Sequence, residues 1–303
     1  MNLIALGLGL ILERLLTQLL HLREARWLDH YFDTAYGRLR RSSGPMLVVL
    51  ALLFVLVPVT PVALVAFVFR DALLGLPYMA FAVFVLLFSL GPRDLGDEVD
   101  DFVQASQAGD DIRATRVAKE LLETDPPAEC GQRVLAIEEA IFVQANNRIF
   151  GVIFWFMVLG PLGAWLFRVT DLLRRRAIFE MGRKSEPDDR DRDLLQSLQR
   201  IHGVIAFLPS HLVALGYALG GSFDGAVMEW RRVYQRQPRF FYATNEEIVA
   251  CAGRGALTGS IDETGAGLCP DAAVARSAMR LVMRTVFVWL TGIAVLTLFG
   301  LAV

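Results

Sequence analysis

The chain has 303 residues and a formal net charge of −2; 54% of its residues are hydrophobic and its mean hydropathy is +0.45. This composition is too apolar for an ordinary soluble domain and predicts an integral membrane protein. A nearly neutral chain lacks the overall basic excess that nucleic-acid binding requires, so we expect no nucleic-acid partner.

The first apolar run, residues 3–20, predicts a membrane span that stays attached. It lacks the basic start and the small-residue cleavage site of a signal peptide. Glu13 and Arg14 interrupt the run, and charges inside a membrane-length helix are costly unless they pair. We therefore expect both residues to have partners and to serve function or helix assembly. The alternative is an interfacial helix that lies along the membrane surface.

Two uncharged runs, residues 46–69 and 72–90, predict two spanning helices joined as a hairpin. Residues 91–148 then turn polar and predict two short amphipathic helices. The core expected between these two helices consists of Phe102, Val103, Ile112, Val117, Leu121 and Leu122. A last span is predicted at residues 286–303.

Two apolar segments in the middle of the chain, residues 149–167 and 201–219, are short and interrupted. Gly160 and Pro161 break the first segment, and Pro209 breaks the second. Proline removes a backbone donor and clashes with the preceding turn, so both segments are predicted to be re-entrant or kinked. For the first segment, the alternative is an ordinary spanning helix with a kink.

Polar residues flank both interruptions. Asn146 precedes the first segment, Arg168 and Asp171 follow it, and His211 follows the proline of the second. Membrane proteins tend to place binding groups at interrupted helices, so we expect the two segments to pack together and enclose a polar pocket. Arginine and asparagine suit an anionic head group. The expected partners are membrane lipid and either an amphiphilic anionic ligand or another membrane protein.

The distribution of basic residues predicts the topology. Of the thirty Lys and Arg residues, twenty-seven lie in residues 21–45, 91–149, 168–200 and 220–282. The positive-inside tendency places such stretches in the cytoplasm, which is possible only if both broken segments enter and leave on one side. The sequence therefore predicts an all-α, polytopic membrane protein with both termini outside. Its single domain, residues 1–303, has spans at 3–20, 46–69, 72–90 and 286–303 and cytoplasmic helical loops at 91–148, 168–200 and 220–282.

Motifs of known catalytic chemistry are absent from the sequence. The chain has no complete phosphate-binding loop, no G-x-G-x-x-G after a strand pattern and no H-E-x-x-H. His202 and His211 are nine residues apart and fall on opposite faces of an unbroken helix, so no metal site is predicted. Cys130, Cys251 and Cys269 form no C-x-x-C pair and are expected to be reduced thiols facing a cytosol. The sequence assigns no cofactor.

Three blocks of sequence carry a family resemblance. They are ILERLL with WLDH, which contain Glu13, Arg14, Asp29 and His30; FWFMVLGPLGAWLFR, residues 154–168; and LPSHLVALGYALGGSFDGAVMEW, residues 208–230. In order and spacing these blocks resemble the AmpE family of bacterial inner-membrane proteins linked to β-lactamase induction. In the family an arginine tends to stand where this chain has His211, which implies a weaker and pH-dependent anion site there.

A second similarity is more distant. The order Glu139-Ala140, Asn146, Gly160, Pro161 and Gly163 is similar to that of the CobD/CbiB proteins of cobalamin synthesis. Those membrane enzymes attach an aminopropanol moiety to adenosylcobyric acid. The similarity adds Glu139 to the candidate polar pocket, beside Asp29 and His30 from the AmpE blocks.

The two resemblances imply different functions. The AmpE resemblance implies a multi-pass protein of the bacterial inner membrane with an accessory or signalling role in β-lactamase induction and cell-wall stress, beside an N-acetylmuramyl-L-alanine amidase encoded nearby. The CobD/CbiB similarity implies the alternative, a membrane enzyme that forms an amide on an amphiphilic substrate. A small-solute transporter is disfavoured because the chain shows no clear pair of repeated halves.

Overall fold

A computed structural model describes residues 5–10, 28–69, 75–91, 94–184, 186, 188–235, 244–258 and 271–299. Every element of regular structure in these ranges is a helix, which confirms the predicted all-α class. Residues 5–10 are helical. Glu13 and Arg14 lie outside the described residues.

Twelve α-helices and one π-helical turn follow in the described chain. They are α1 (Asp29–Leu39), α2 (Gly44–Phe69), α3 (Leu76–Leu90), α4 (Leu95–Gln107), α5 (Asp111–Leu122), α6 (Cys130–Ala145), the π turn (Asn146–Phe150), α7 (Gly151–Leu159), α8 (Pro161–Gly182), α9 (Asp189–Gly220), α10 (Phe223–Gln235), α11 (Thr244–Ala256) and α12 (Asp271–Leu298).

Five helical stretches are long and apolar enough to cross a membrane. They are Gly44–Phe69, Leu76–Gln107, Cys130–Leu159, Asp189–Gly220 and Ala272–Leu298. This confirms a polytopic helical membrane protein. Three stretches overlap the predicted spans at 46–69, 72–90 and 286–303, and the other two contain large parts of the central segments.

The chain turns back at Gly160. α7 ends at Leu159 and α8 begins at Pro161, and Gly160 between them has φ 64° and ψ −150°, a backbone conformation that favours glycine. A Cβ atom on Gly163 would lie 2.2 Å from the carbonyl oxygen of Trp155. Residues eight apart in a straight helix are about 12 Å apart, so α7 and α8 pack against each other after a reversal. Whether this segment is re-entrant in a membrane stays a prediction.

The second central segment lies within one continuous helix, and whether it is kinked or re-entrant stays a prediction. α9 is continuous from Asp189 to Gly220 with Pro209 inside it. Pro209 has no N–H for the carbonyl of Ile205 one turn earlier, but the indole Nε1–H of Trp155 donates to that oxygen at 3.1 Å. The missing helix bond is therefore replaced from α7, and the helix passes through the proline.

The chain packs as two compact units. Unit 1 contains Met1–Pro92, Asn147–Ala206 and Ala294–Val303, and unit 2 contains Arg93–Asn146 and Phe207–Ile293. In unit 1, α8 is the central helix and packs against α1, α2, α3 and α7. Buried side chains repeat every four residues along the contact faces, as helical periodicity requires. They are Leu47, Ala51, Val55 and Val59 on α2 and Trp165, Val169, Leu173 and Ala177 on α8.

Unit 2 is assembled through small residues. A Cβ atom on Gly255 of α11 would lie 2.3 Å from the backbone oxygen of Gly225 on α10, so the two backbones touch. Gly216 and Gly220 of α9 pack against Thr285 of α12, the close helix contact typical of a G-x-x-x-G pair. Phe102, Val103, Val117 and Leu121 of α4 and α5 are buried, but Ile112 is 87% exposed, so its predicted core position is wrong.

Cys251 is a buried thiol that takes part in no disulfide. Cys269 lies outside the described residues.

Candidate anion-binding site

The central helix of unit 1 carries a buried ionic cluster around Asp171. Its carboxylate forms ion pairs with Arg168 Nη1 at 3.3 Å, with Arg174 Nη2 at 3.0 Å and with Arg175 Nε at 2.9 Å. The three arginines lie three or four residues from Asp171, so one face of α8 presents all of them. We call these four residues the Asp171 cluster.

The cluster is shielded from solvent. The side chain of Asp171 is 0% exposed, those of Arg168 and Arg174 are 5% exposed, and that of Arg175 is 20% exposed. Transferring ions from water to a protein interior costs several kcal/mol each, and close opposite charges offset part of that cost. Three guanidinium groups face one carboxylate here, so the cluster is positively charged as a group.

The carboxylate of Asp171 is held in its ionised form. α8 is not one of the five candidate spans, although its N-terminal half is buried in unit 1. Burial alone would raise the pKa of the Asp171 carboxyl, but the surrounding positive groups outweigh burial and hold the pKa below its ordinary value. In order of effect, these groups are Arg175, Arg174, His202 and Arg168.

A second group of polar side chains adjoins the cluster. Thr170 donates its hydroxyl proton to the carbonyl of Phe167 at 2.8 Å, which leaves its oxygen to accept from His202 Nδ1 at 3.4 Å. His202 Nε2 lies 3.4 Å from the side-chain oxygen of Asn147. The His202 ring also packs on Phe167, with the centroids 5.1 Å apart. These contacts hold the buried imidazole of α9 against α8.

The π turn supplies Asn147 to this site. Asn146–Phe150 forms i to i+5 hydrogen bonds within an otherwise α-helical stretch, and such π turns occur frequently at functional sites. The extra residue of a π turn shifts the register of the side chains. Asn146, Asn147 and Arg148 are all less than a tenth exposed. The turn therefore directs three consecutive polar side chains into buried positions.

Gly91 closes one side of the Asp171 cluster. It ends α3 with φ 106°, and a Cβ atom there would lie 3.0 Å from Arg168 Nη2. Positive φ is costly for other residues, and the missing side chain leaves room for the guanidinium. The α3 terminus therefore positions Arg168.

The structure joins two of the predicted site residues directly. Arg168 and Asp171 form an ion pair in unit 1. His30 lies on α1 and is exposed, and its place in the polar pocket stays a prediction. The side chain of Asp29 lies outside the described residues, as do Glu13 and Arg14. Gly160 and Pro161 form the α7–α8 junction, and Pro209 lies inside α9.

The remaining predicted residues belong to unit 2. Asn146 Nδ2 donates to Ser210 Oγ at 3.3 Å, and Glu139 forms an ion pair with Arg254 at 2.9 Å. His211 is partly exposed; its Nδ1–H donates to the Phe207 carbonyl and its Nε2 accepts from the Tyr234 hydroxyl, both at 2.7 Å. A single pocket lined by Asn146, Arg168 and His211 stays a prediction.

Most of the cluster and the polar side chains beside it were not predicted from the sequence. Arg174 and Arg175 lie in the basic stretch 168–200, and His202, Thr170 and Asn147 are absent from the predicted pocket. The i, i+3 and i, i+4 spacing of the arginines around Asp171 was the available signal. Among the described residues, no group of three or more His, Cys, Asp or Glu side chains could hold a metal ion.

These features define the class of the protein: a multi-pass helical membrane protein whose central helix carries a buried, arginine-rich cluster. The sequence profile described as "Regulatory signalling modulator protein AmpE" matches residues 1–249, and the chain belongs to the AmpE family.

Two curated relatives are both named cobalamin biosynthesis protein CobD. The protein from Stutzerimonas stutzeri is 29% identical over 287 residues, which cover 88% of this chain and 86% of the relative. The protein from Chromobacterium violaceum is 29% identical over 239 residues, which cover 72% of each chain. These relatives agree with the distant similarity to CobD. No solved structure matches the chain.

Proposed function

We propose that this protein is an inner-membrane regulator that modulates β-lactamase induction by binding the anionic head group of an amphiphilic ligand at the Asp171 cluster. Membership of a family of regulatory signalling modulators supports the regulatory part. The observation that carries the ligand part is the buried group of three arginines around one aspartate.

Arginine suits this role for a geometric reason. A guanidinium group carries five N–H donors in a planar fork, which matches the oxygens of a phosphate or carboxylate. Asp171 pairs with all three guanidinium groups of α8. An anion would add a further negative partner in a weakly screened environment, where its attraction to arginine is stronger than in water.

A direct binding experiment tests the ligand part. Dodecyl phosphate supplies an anionic head group, and dodecyl maltoside supplies the same alkyl chain with a neutral head group. We expect dodecyl phosphate, and not added dodecyl maltoside, to raise the thermal unfolding temperature of the full-length protein in micelles. Arg168→Gln should lose the shift and Arg41→Gln should retain it, because Arg41 is exposed.

Two outcomes would overturn the ligand proposal: no shift with the unsubstituted protein, or an equal shift with Arg168→Gln. If Arg168→Gln does not fold, Arg175→Gln serves instead, since its side chain is 20% exposed and its replacement disturbs the interior less.

The regulatory part is tested in cells. Deletion of the gene should change the β-lactamase activity induced by a sub-lethal β-lactam, and the unsubstituted gene should restore it. Arg168→Gln, expressed at the same level in the membrane, should fail to restore it. Unchanged induction after deletion would reject the regulatory role without bearing on dodecyl phosphate binding.

A second candidate function is supported by the two relatives named CobD, since they match most of this chain at 29% identity. In this alternative the protein is a membrane enzyme that forms an amide on an amphiphilic corrin substrate. A purified protein with the visible absorption of a bound corrin, together with rescue of a cobalamin-requiring strain that lacks its own CobD, would favour the enzyme. A colourless protein that gives no rescue would reject it.

A further inference from the structure

α10 has an exposed face of unusual composition. Phe223 is 52% exposed, Met228 is 48% exposed and Tyr234 is 52% exposed. Asp224, Arg231 and Arg232 lie among them and are also exposed. In water such a mixture leaves large apolar side chains hydrated, which is unfavourable.

The core-facing side of α10 is already occupied. Gly225, Ala226 and Val233 are buried, and Gly225 meets the backbone of Gly255 on α11. Val233 belongs to an apolar cluster with Ile248 and Ala252 of α11. The exposed apolar side chains therefore lie outside the contact that holds α10 in unit 2.

α10 begins close to the end of a candidate membrane span. Only Gly221 and Ser222 separate it from the end of α9 at Gly220. Two residues reach at most roughly 10 Å. Tyr234 near the other end of α10 bonds to His211 of α9, so the helix is held to the span at two points.

We infer that α10 is an interfacial helix, which lies in the head-group layer of the bilayer with Phe223 and Met228 directed to the acyl boundary and Arg231 to lipid phosphates. Apolar and aromatic side chains interleaved with arginine are the composition that this layer selects. The inference concerns lipid as the occupant of this face and is independent of the ligand at the Asp171 cluster.

Site-directed fluorescence tests the inference. Met228→Cys carries an environment-sensitive dye in the full-length protein, reconstituted in discs of phosphatidylcholine and phosphatidylglycerol. Ile112→Cys on α5 is the matched control, since Ile112 is 87% exposed in the same unit and has no large exposed apolar neighbour on α5. The unsubstituted chain sets the background from native cysteines.

The dye at position 228 should be quenched several-fold more than the dye at position 112 by a spin label in the lipid head group, and several-fold less by aqueous iodide. Phe223→Cys should behave like Met228→Cys and replaces it if that variant does not fold. Iodide quenching at positions 228 and 223 as strong as at position 112, with no quenching by the lipid spin label, would overturn the inference.

Discussion

Among single residues, Asp171 is the one that connects the buried arginines of α8. Its carboxylate is fully buried and forms ion pairs with three arginines. A neutral side chain at this position would leave three guanidinium groups close together with no charge between them. The energetic consequence is much larger than for a surface ion pair, where water screens both charges.

We predict that Asp171→Asn destabilises the protein by about 3–5 kcal/mol, measured by unfolding in detergent micelles. Asp189→Asn is the matched control: Asp189 pairs with Arg192 but its side chain is 93% exposed. It should cost no more than about 1 kcal/mol. Equal losses of stability in the two variants would contradict the buried, ion-paired state of Asp171.

The stabilising effect of the Asp171 carboxylate has a predicted pH range. The folded-state pKa of Asp171 is lowered, so its stabilising effect is fully present above the ordinary aspartate value and is lost as pH falls through the lower folded value. The stability difference between the unsubstituted protein and Asp171→Asn should therefore stay constant at every pH above about 4. A difference that disappears between neutral pH and about 5 would show that the carboxyl is not held ionised.

At the scale of elements, side chains of neighbouring helices replace backbone bonds that prolines remove. Pro58 in α2 leaves the Phe54 carbonyl without its helix donor, and the Tyr31 hydroxyl of α1 donates to that oxygen at 2.6 Å. Trp155 does the same for Ile205 and Pro209. Both prolines thereby become points where a second helix is attached to the first.

A double-mutant cycle tests this attachment. Trp155→Phe should cost about 1–3 kcal/mol, because it leaves a buried carbonyl without its donor. In a Pro209→Ala background the alanine N–H restores the helix bond to Ile205, so the same substitution should cost less by at least about 1 kcal/mol. An equal cost in both backgrounds would mean that Trp155 acts through packing alone.

The α10–α11 crossing depends on glycine. A Cβ atom on Gly255 would lie 2.3 Å from the Gly225 oxygen, so Gly255→Ala must push the two helices apart and should cost about 1–3 kcal/mol or more. Gly37→Ala in α1 is the control, since no atom lies within 4 Å of its added Cβ. It should stabilise by about 0.5–1 kcal/mol. Similar effects of the two substitutions on unfolding would refute the close crossing.

At the scale of the whole molecule, the continuity of α9 bears on the topology. α9 has 32 residues and is therefore about 48 Å long, whereas the hydrocarbon core is about 30 Å thick. A continuous helix of this length crosses the membrane more readily than it dips into it. Its two ends are then on opposite sides, whereas the charge count predicted both in the cytoplasm.

Reporter cysteines on either side of α9 distinguish the two topologies. Glu186 precedes the helix and Thr258 follows it, and both are exposed. We expect a membrane-impermeant maleimide, added to intact cells, to label only one of Glu186→Cys and Thr258→Cys. Permeabilised cells, in which both should react, are the control. Failure to label either site in intact cells would support the re-entrant topology.

The class of the protein follows from its amino-acid sequence alone. Apolar runs such as residues 46–69 have one energetic solution, a helix in a membrane, because lipid offers no partner for an open backbone. The turn at Gly160-Pro161 and the contact of Gly216 and Gly220 also follow from local chemistry. AmpE membership was accessible because ordered blocks of side chains persist among relatives.

What compensates for each local irregularity depends on tertiary packing. α9 continues through Pro209, where Trp155, fifty positions away from Ile205, supplies the missing donor. The Asp171 cluster requires α8 to be central in unit 1, which no local pattern reveals. The local sequence shows which backbone bond a proline removes and which side chains are charged and need a partner. The partner itself depends on packing, because packing brings together residues that are distant along the chain.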